Sequence, residues 1–231
     1  MKTPKAVLFD FWNTLMRTGT DRNKGIRGLL EIAENPREVT VDQIREVADE
    51  LILVTKPIRA VLMEFTQRQF DRNLFDRTGL IVDLTDEELD RSFIKNVLTP
   101  EIEPGAVKTF KALHDSGFKV GVVSNSVLCG DAISSIMAKY DMLKYADFVM
   151  TSADYGFRKP HPQIFKTAIA KAGHNPDEIW FVGDWIRHDI VGAQGAGMTG
   201  VWYNPNEAPA EDIVPDIEIK SLLEIPERLH V

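Results

Sequence analysis

Asp10, Asp184 and Asp189 stand at or just beyond the ends of apolar runs: Asp10 follows AVLF (Ala6–Phe9), Asp184 follows IWFVG (Ile179–Gly183), and Asp189 comes five positions later. Ser124 and Asn125 end the run KVGVVS, and Lys159 lies in YGFRKPHP beyond DFVM. Brought together, three carboxylates repel one another unless a cation lies between them, and an all-oxygen donor set with room for water suits Mg2+. Lys159 adds a second positive centre. Ser124 and the backbone N–H groups after its strand offer neutral donors to a tetrahedral anion. A hard cation, an ammonium and such donors around one free carboxylate oxygen suit phosphoryl transfer, where positioning and charge neutralisation dominate. Asp10 is then the nucleophile, by way of an aspartyl-phosphate.

Each of these residues alone has an ordinary reading. An Asp at a strand end is commonly a turn former or helix cap. Asp184 and Asp189 would point apart on a straight helix, and only a strand-to-helix turn between them brings them together. A lysine in a loop is usually solvated, although Pro160 and Pro162 stiffen the segment around Lys159.

Convergence requires that the runs be neighbouring strands. AVLF, KVGVVS, DFVM and IWFVG lack period-2 alternation, as expected of a parallel sheet covered on both faces, whose ligands bind at the carboxyl ends of the strands. Helical spacing fills the gaps. Val107, Phe110, Leu113 and His114 share a face that Gly117 ends, and a stripe of Ile164, Phe165, Ala168, Ile169 and Ala172 starts at Pro162 and stops at Gly173. GVWY at Gly200 and DIEIKSLLEI at Asp216 predict edge strands and a last short helix. Alternation of strand and helix predicts an α/β fold. From Arg17 to Thr99 no convincing strand is evident. There Ile44, Val47, Ala48, Leu51 and Ile52 share one helix face, Pro57 breaks or kinks that helix, and Thr85 caps DEELDRSFIKNVL.

At 231 residues and 44% apolar, the chain has the composition of a globular protein with a sizeable core. The formal charge of -8 argues against a general nucleic-acid or anionic-membrane binder, since both partners are polyanions. No run approaches a membrane span, and Asp10 interrupts the N-terminal apolar run too early for a signal peptide. The single cysteine, Cys129, suits a reducing compartment and reads as a small hydrophobe rather than a nucleophile. A cytoplasmic location is expected.

Jointly, the motifs resemble those of the haloacid dehalogenase-like superfamily of hydrolases. FDFWNTL is similar to its first motif, usually D-x-D-x-T, and VVSNS to the second; GFRKPHPQIF resembles the third and FVGDWIRHDIVGAQGAGM the fourth, G-D-x-x-x-x-D. The resemblance implies a Rossmann-like parallel sheet in three α/β/α layers over residues 1–15 and 101–231, with an all-helical cap domain inserted at 16–100. It implies that Asp10 is the nucleophile and that Asp10, Asp184 and the Trp12 carbonyl bind Mg2+, with Asp189 in support. Ser124, the Asn125 N–H and Lys159 would hold the phosphate, with Phe11 and Trp12 beside it, and Thr14 would brace the loop. The implied substrate is a small phosphorylated molecule, and the protein a monomer or homodimer.

One position departs from the pattern. Trp12 replaces the second Asp of the first motif, which in phosphatases of this family protonates the leaving alcohol and then activates water. An indole cannot do this. Trp12 either faces the substrate and cap or packs into the hinge. The departure leaves several chemistries open: a slow phosphatase favouring acyl or aryl phosphates, a phosphonatase with a cap lysine (Lys24, Lys56 or Lys95), a dehalogenase, or a non-catalytic Mg2+ and anion binder. Asp184 counts against dehalogenation, because dehalogenases generally lack the metal-binding Asp. His188 reads as a solvated residue of a first helical turn.

Overall fold

The apolar runs become strands because each is buried on both faces. The computed structural model describes residues 2–210 and 212–231, so residues 1 and 211 of the expected core lie outside it. β1 (Ala6–Phe9) leads through a turn into β2 (Met16–Thr20) and a helical insertion of α1 (Arg22–Ile32), α2 (Val41–Ala60), α3 (Gln67–Thr78) and α4 (Asp86–Val97), closed by β3 (Leu98–Ile102). The chain continues with α5 (Ala106–Asp115), β4 (Lys119–Ser124), α6 (Gly130–Lys139), β5 (Phe148–Thr151), α7 (Ser152–Tyr155) and α8 (Pro162–Ala172). It ends with β6 (Ile179–Gly183), a π-helical turn (Ile186–Ile190), α9 (Val191–Gly195), β7 (Thr199–Tyr203), β8 (Ile217–Ile219) and α10 (Glu224–Leu229).

Six parallel strands form one sheet in the order β5-β4-β1-β6-β7-β8. From β1 the chain builds outward to β4 and β5, then returns to place β6, β7 and β8 on the other side. The order therefore reverses at β1, where open α/β sheets form a ligand crevice beyond the strand ends. Alternate residues of β1 serve the two faces. Val7 and Phe9 join Phe110, Ile133 and Ile136 on one side, while Ala6 and Leu8 join Ile164, Phe165 and Ala168 on the other. Helices thus cover both faces, as the alternation of strand and helix predicted for an α/β fold, and the arrangement is the Rossmann-like three-layer one that the resemblance implied.

The insertion is helical for a local reason: α2, α3 and α4 each begin with a reciprocal capping box, Thr40 with Gln43, Thr66 with Gln69 and Thr85 with Glu88. Its own small core includes Ile26, Ile44, Ala48, Leu51, Leu74 and Leu80. Pro57 does not break α2, which runs on to Ala60. Only one turn remains beyond that proline, so few hydrogen bonds are at stake there. A two-stranded antiparallel ribbon, β2 with β3, joins the insertion to the sheet, and the sequence reading finds no strand there. The ribbon residues Met16, Arg17, Thr18, Gly19 and Thr20 give no clear alternation. No described helix is long and apolar enough to cross a membrane.

A second tie holds the insertion to the sheet. The loop after α2 pairs with the segment before Lys159, through a Met63–Phe157 bridge and a Glu64 N–H bonded to the Gly156 carbonyl at 2.9 Å. The Glu64 side chain is buried, takes a hydrogen bond from Ser152 Oγ at 2.6 Å and pairs with Arg158.

Candidate active site

Asp10 follows β1 directly, and its N–H bonds to the Val182 carbonyl of β6 at 2.8 Å, so the residue continues the sheet before the chain turns away. Asn13 takes φ 63, a left-handed conformation that Asn tolerates, and reverses the chain so that Thr14 faces Asp10. Thr14 Oγ1 lies 3.4 Å from Asp10 Oδ2 and from Asp184 Oδ1, and accepts the Asp184 N–H at 3.1 Å. One hydroxyl thus spans the ends of β1 and β6.

Asp184 follows β6, and the π-helical turn Ile186–Ile190 folds Asp189 back toward it. Asp189 Oδ2 accepts the Trp185 N–H at 3.0 Å. The turn needs a glycine before it, since a Cβ on Gly183 would sit 2.4 Å from Asp189 Cγ. Asp10, Asp184 and Asp189 each offer a carboxylate oxygen within 4.8 Å of the others, and all three could hold one cation.

Lys159 is 1% exposed. Its Nζ lies 2.5 Å from Asp10 Oδ1 and 2.7 Å from Asp189 Oδ1, with the Phe181 ring 5.1 Å away. Burial alone pulls the ammonium down, but Asp10 and Asp189 outweigh it and raise its pKa, so Lys159 stays charged. One lysine does not balance three acids. Burial lifts Asp10 to about 6, with Lys159 opposing and Asp189 adding to the rise. Burial, then Asp10 and Asp189, lift Asp184 to about 7. On their own the three acids resist full ionisation, so a cation between them would favour their charged forms. An all-oxygen donor set of this charge fits Mg2+.

The remaining expected residues divide into two groups. Ser124 is fully buried at the end of β4, and its Oγ has no hydrogen-bond partner, which suits a hydroxyl waiting on an anion. The Asn125 side chain is committed elsewhere: Oδ1 accepts the Lys159 N–H at 2.7 Å and Nδ2 donates to the Lys159 carbonyl at 3.0 Å. Sequence reasoning assigned only its backbone N–H and missed this clamp, which spacing along the chain does not signal. Phe11 is buried, and its carbonyl accepts the Leu15 and Met16 N–H groups at 2.9 and 3.0 Å, so it shapes the turn after Asp10. Trp12 is half-buried, packs against the main core cluster, and meets the Phe11 ring edge-on at 4.7 Å.

Two further residues differ from expectation or sharpen it. His188 is not a freely solvated side chain: Nδ1 is buried without a partner, and the ring lies tilted against Trp185 with centroids 3.8 Å apart. Burial, then the charges of Arg158 and Lys159, lower its pKa and keep it neutral. Cys129 is half-buried with its thiol 3.5 Å from Asp90 Oδ2, and burial raises its pKa. That agrees with a structural cysteine, since the thiolate is the reactive form.

Comparison with known proteins places this geometry. A family model described as haloacid dehalogenase-like hydrolase matches residues 4–197. Over 134 residues the chain is 31% identical to glyceraldehyde 3-phosphate phosphatase of Pyrococcus furiosus, covering 54% of each chain. Over 172 residues it is 30% identical to a pyrimidine 5'-nucleotidase of Escherichia coli, covering 71% of this chain and 73% of that one. The chain spans about half the length of the glyceraldehyde 3-phosphate phosphatases it matches. Among solved structures, a HAD phosphatase from Thermococcus onnurineus superposes with a TM-score of 0.69 at 27% identity, covering 97% of both chains. A 2-haloacid dehalogenase from Pseudomonas syringae superposes at 0.65, with 27% identity and 99% of both chains covered. With the family model spanning the whole site, from Asp10 to Asp189, the chain belongs to the haloacid dehalogenase-like hydrolases.

Proposed function

We propose that the chain is a Mg2+-dependent phosphohydrolase acting on a small phosphorylated molecule through an aspartyl-phosphate on Asp10. The carrying observation is the cluster itself: Asp10 bonded to a buried Lys159, two further acids in reach of one cation, and an unpartnered Ser124 hydroxyl at the end of the adjacent strand β4. The similarity to phosphatases supports the same reading. In this reading residues 1–15 and 101–231 form the catalytic core, residues 16–100 act as a cap over it, and the protein works in the cytoplasm.

An Asp10 carboxylate oxygen attacks phosphorus, and the bond from phosphorus to the leaving oxygen breaks with its electron pair on that oxygen. Lys159, Ser124 and the Asn125 N–H hold the transferred oxygens. Water then attacks phosphorus and frees Asp10 and phosphate. Asp10, Asp184, the Trp12 carbonyl and, in support, Asp189 would hold Mg2+, which would supply charge neutralisation for the phosphoryl group. Asp10 must be ionised to attack, and Lys159 at 2.5 Å favours that form.

Trp12 donates no proton to the leaving oxygen. General acid–base help contributes about 10²- to 10⁴-fold, so turnover persists at a reduced rate and favours leaving groups stable as anions, such as phenolates and carboxylates. A phosphonatase needs a desolvated lysine from the insertion, and Lys24, Lys56 and Lys95 are all exposed. The second reading, a Mg2+ and anion binder without turnover, rests on Trp12. Magnesium-dependent phosphate release from para-nitrophenyl phosphate, lost in Asp10→Asn, is the expected result. Release that continues unchanged in Asp10→Asn refutes the nucleophile assignment, and none in the natural protein favours the binder.

A further inference from the structure

The helical insertion holds a cavity of about 410 Å³ among α1, α2, α3 and α4. It reaches the core only at Val127, and none of the residues proposed for phosphoryl transfer lines it. Protein interiors rarely contain voids larger than a water molecule, whereas small-molecule sites begin at roughly 300 Å³. Most of the wall is apolar, and it presents the rings of Phe65, Phe70, Phe75 and Phe93.

One carboxyl, Asp71, stands in this wall. Gln67 Nε2 donates to its Oδ1 at 2.8 Å. The charged groups that act on it are Asp90 and Asp86, both acids, and burial together with them lifts the carboxyl to about 7. Two arginines also line the wall, each paired with an acid outside it, Arg22 with Asp49 and Arg59 with Glu64, while Arg68, outside the wall, pairs with Asp86 and Asp90. The cavity is therefore largely apolar and ringed by aromatics, and its one carboxyl has no ion-pair partner among the described residues. A carboxylate in low dielectric favours a partner of opposite charge, and aromatic faces attract a cation further. A neutral guest leaves the Asp71 carboxylate without a counter-charge, and an anionic guest at that position meets it with the charges of Asp90 and Asp86 behind.

We infer that this cavity binds a small organic ammonium compound, its apolar body among the four phenylalanines and its ammonium on Asp71. The site shares no residue with the phosphoryl-transfer set, and it rests on the phosphatase reading only where the ammonium belongs to a leaving group. The ammonium comes either from a free amine or from the leaving group of a phosphorylated amine.

The test is calorimetric titration of the full chain near pH 8 with 2-phenylethylammonium, 2-phenylethanol and 3-phenylpropionate. The ammonium binds saturably, the alcohol binds about tenfold or more weakly, and the carboxylate does not bind. Asp71→Asn keeps the side-chain size and an acceptor for Gln67, and loses the preference for the ammonium. Asp10→Asn keeps ammonium binding, so failure of the phosphatase chemistry is read separately. Competitive inhibition of para-nitrophenyl phosphate hydrolysis by the ammonium indicates a leaving-group source, and an unchanged KM indicates a free amine. Equal affinity for ammonium and alcohol, undiminished preference in Asp71→Asn, or no ammonium binding at millimolar concentration overturns the inference.

Discussion

Asn125 holds the backbone of Lys159 from both sides, accepting its N–H at 2.7 Å and donating to its carbonyl at 3.0 Å. The two residues are 34 positions apart in sequence and sit beyond different strands. The clamp fixes the segment from which the buried ammonium reaches Asp10. Lys159 Nζ approaches Asp10 and Asp189 within 2.7 Å, and a small displacement of its backbone breaks both contacts.

Asn125→Ala therefore lowers kcat on para-nitrophenyl phosphate by about 10- to 10²-fold, the scale of an ångström-sized misplacement of a catalytic group. Asn125→Asp keeps the acceptor but not the donor and falls between the two. Steady-state kinetics on folded protein check the order. Wild-type kcat in Asn125→Ala contradicts the positioning role.

Mg2+ binding reads out in stability without any turnover. At about a hundred times its Kd, a ligand specific to the folded state stabilises it by roughly 2.7 kcal/mol. Thermal unfolding with and without Mg2+ should show a shift in the natural protein that is mostly lost in Asp184→Asn. Without metal that variant should be the more stable protein, because burial and the charges of Asp10 and Asp189 disfavour an ionised Asp184. An equal Mg2+ shift in both proteins removes Asp184 from the metal set.

Much of this site is legible in the sequence because strand ends are. Asp10, Ser124 and Asp184 sit where buried runs stop, and parallel topology brings the ends of β1, β4 and β6 side by side. Asp189 is legible only conditionally, since its return depends on the π-helical turn and on the space left by Gly183. The Asn125 clamp and the ion pair of Glu64 with Arg158 are not legible. Both are contacts between loops, whose partners follow from tertiary packing and carry no periodic signal. The β2–β3 ribbon escapes for a related reason: most of its residues are part-exposed, its strands lie far apart in the chain (Gly19 and Thr99 are 80 positions apart), and pairing with each other makes them strands.

Asp71 gives the stability a pH signature. Its folded-state pKa of about 7 lies above the ordinary carboxylate value, chiefly through burial. A carboxyl raised on folding favours the folded state when protonated. Its stabilising effect is complete below about pH 4 and is lost as pH rises through about 7. Asp71→Asn should therefore be more stable than the natural protein above pH 7, by up to about 4 kcal/mol, with the difference closing in acid. Denaturant midpoints measured across this range test the trend. A difference that grows as pH falls contradicts it.

Trp12 bears on both rate and substrate preference. Trp12→Asp places a proton-transferring group in the first motif beside Asp10, and general acid–base catalysis contributes about 10²- to 10⁴-fold where a leaving group needs it. Alkyl phosphates, whose alkoxides leave poorly, should gain by about that factor in kcat/KM, while aryl phosphates gain little. The ratio of aryl to alkyl turnover is therefore the quantity to measure. It is insensitive to the stability cost of removing an indole that packs half-buried against Phe11 and the core, on the order of 1–3 kcal/mol. It is equally insensitive to a uniform loss of active protein. If the ratio stays fixed in folded, Mg2+-binding Trp12→Asp, proton transfer does not limit the reaction, and the missing Asp does not set the choice of substrate.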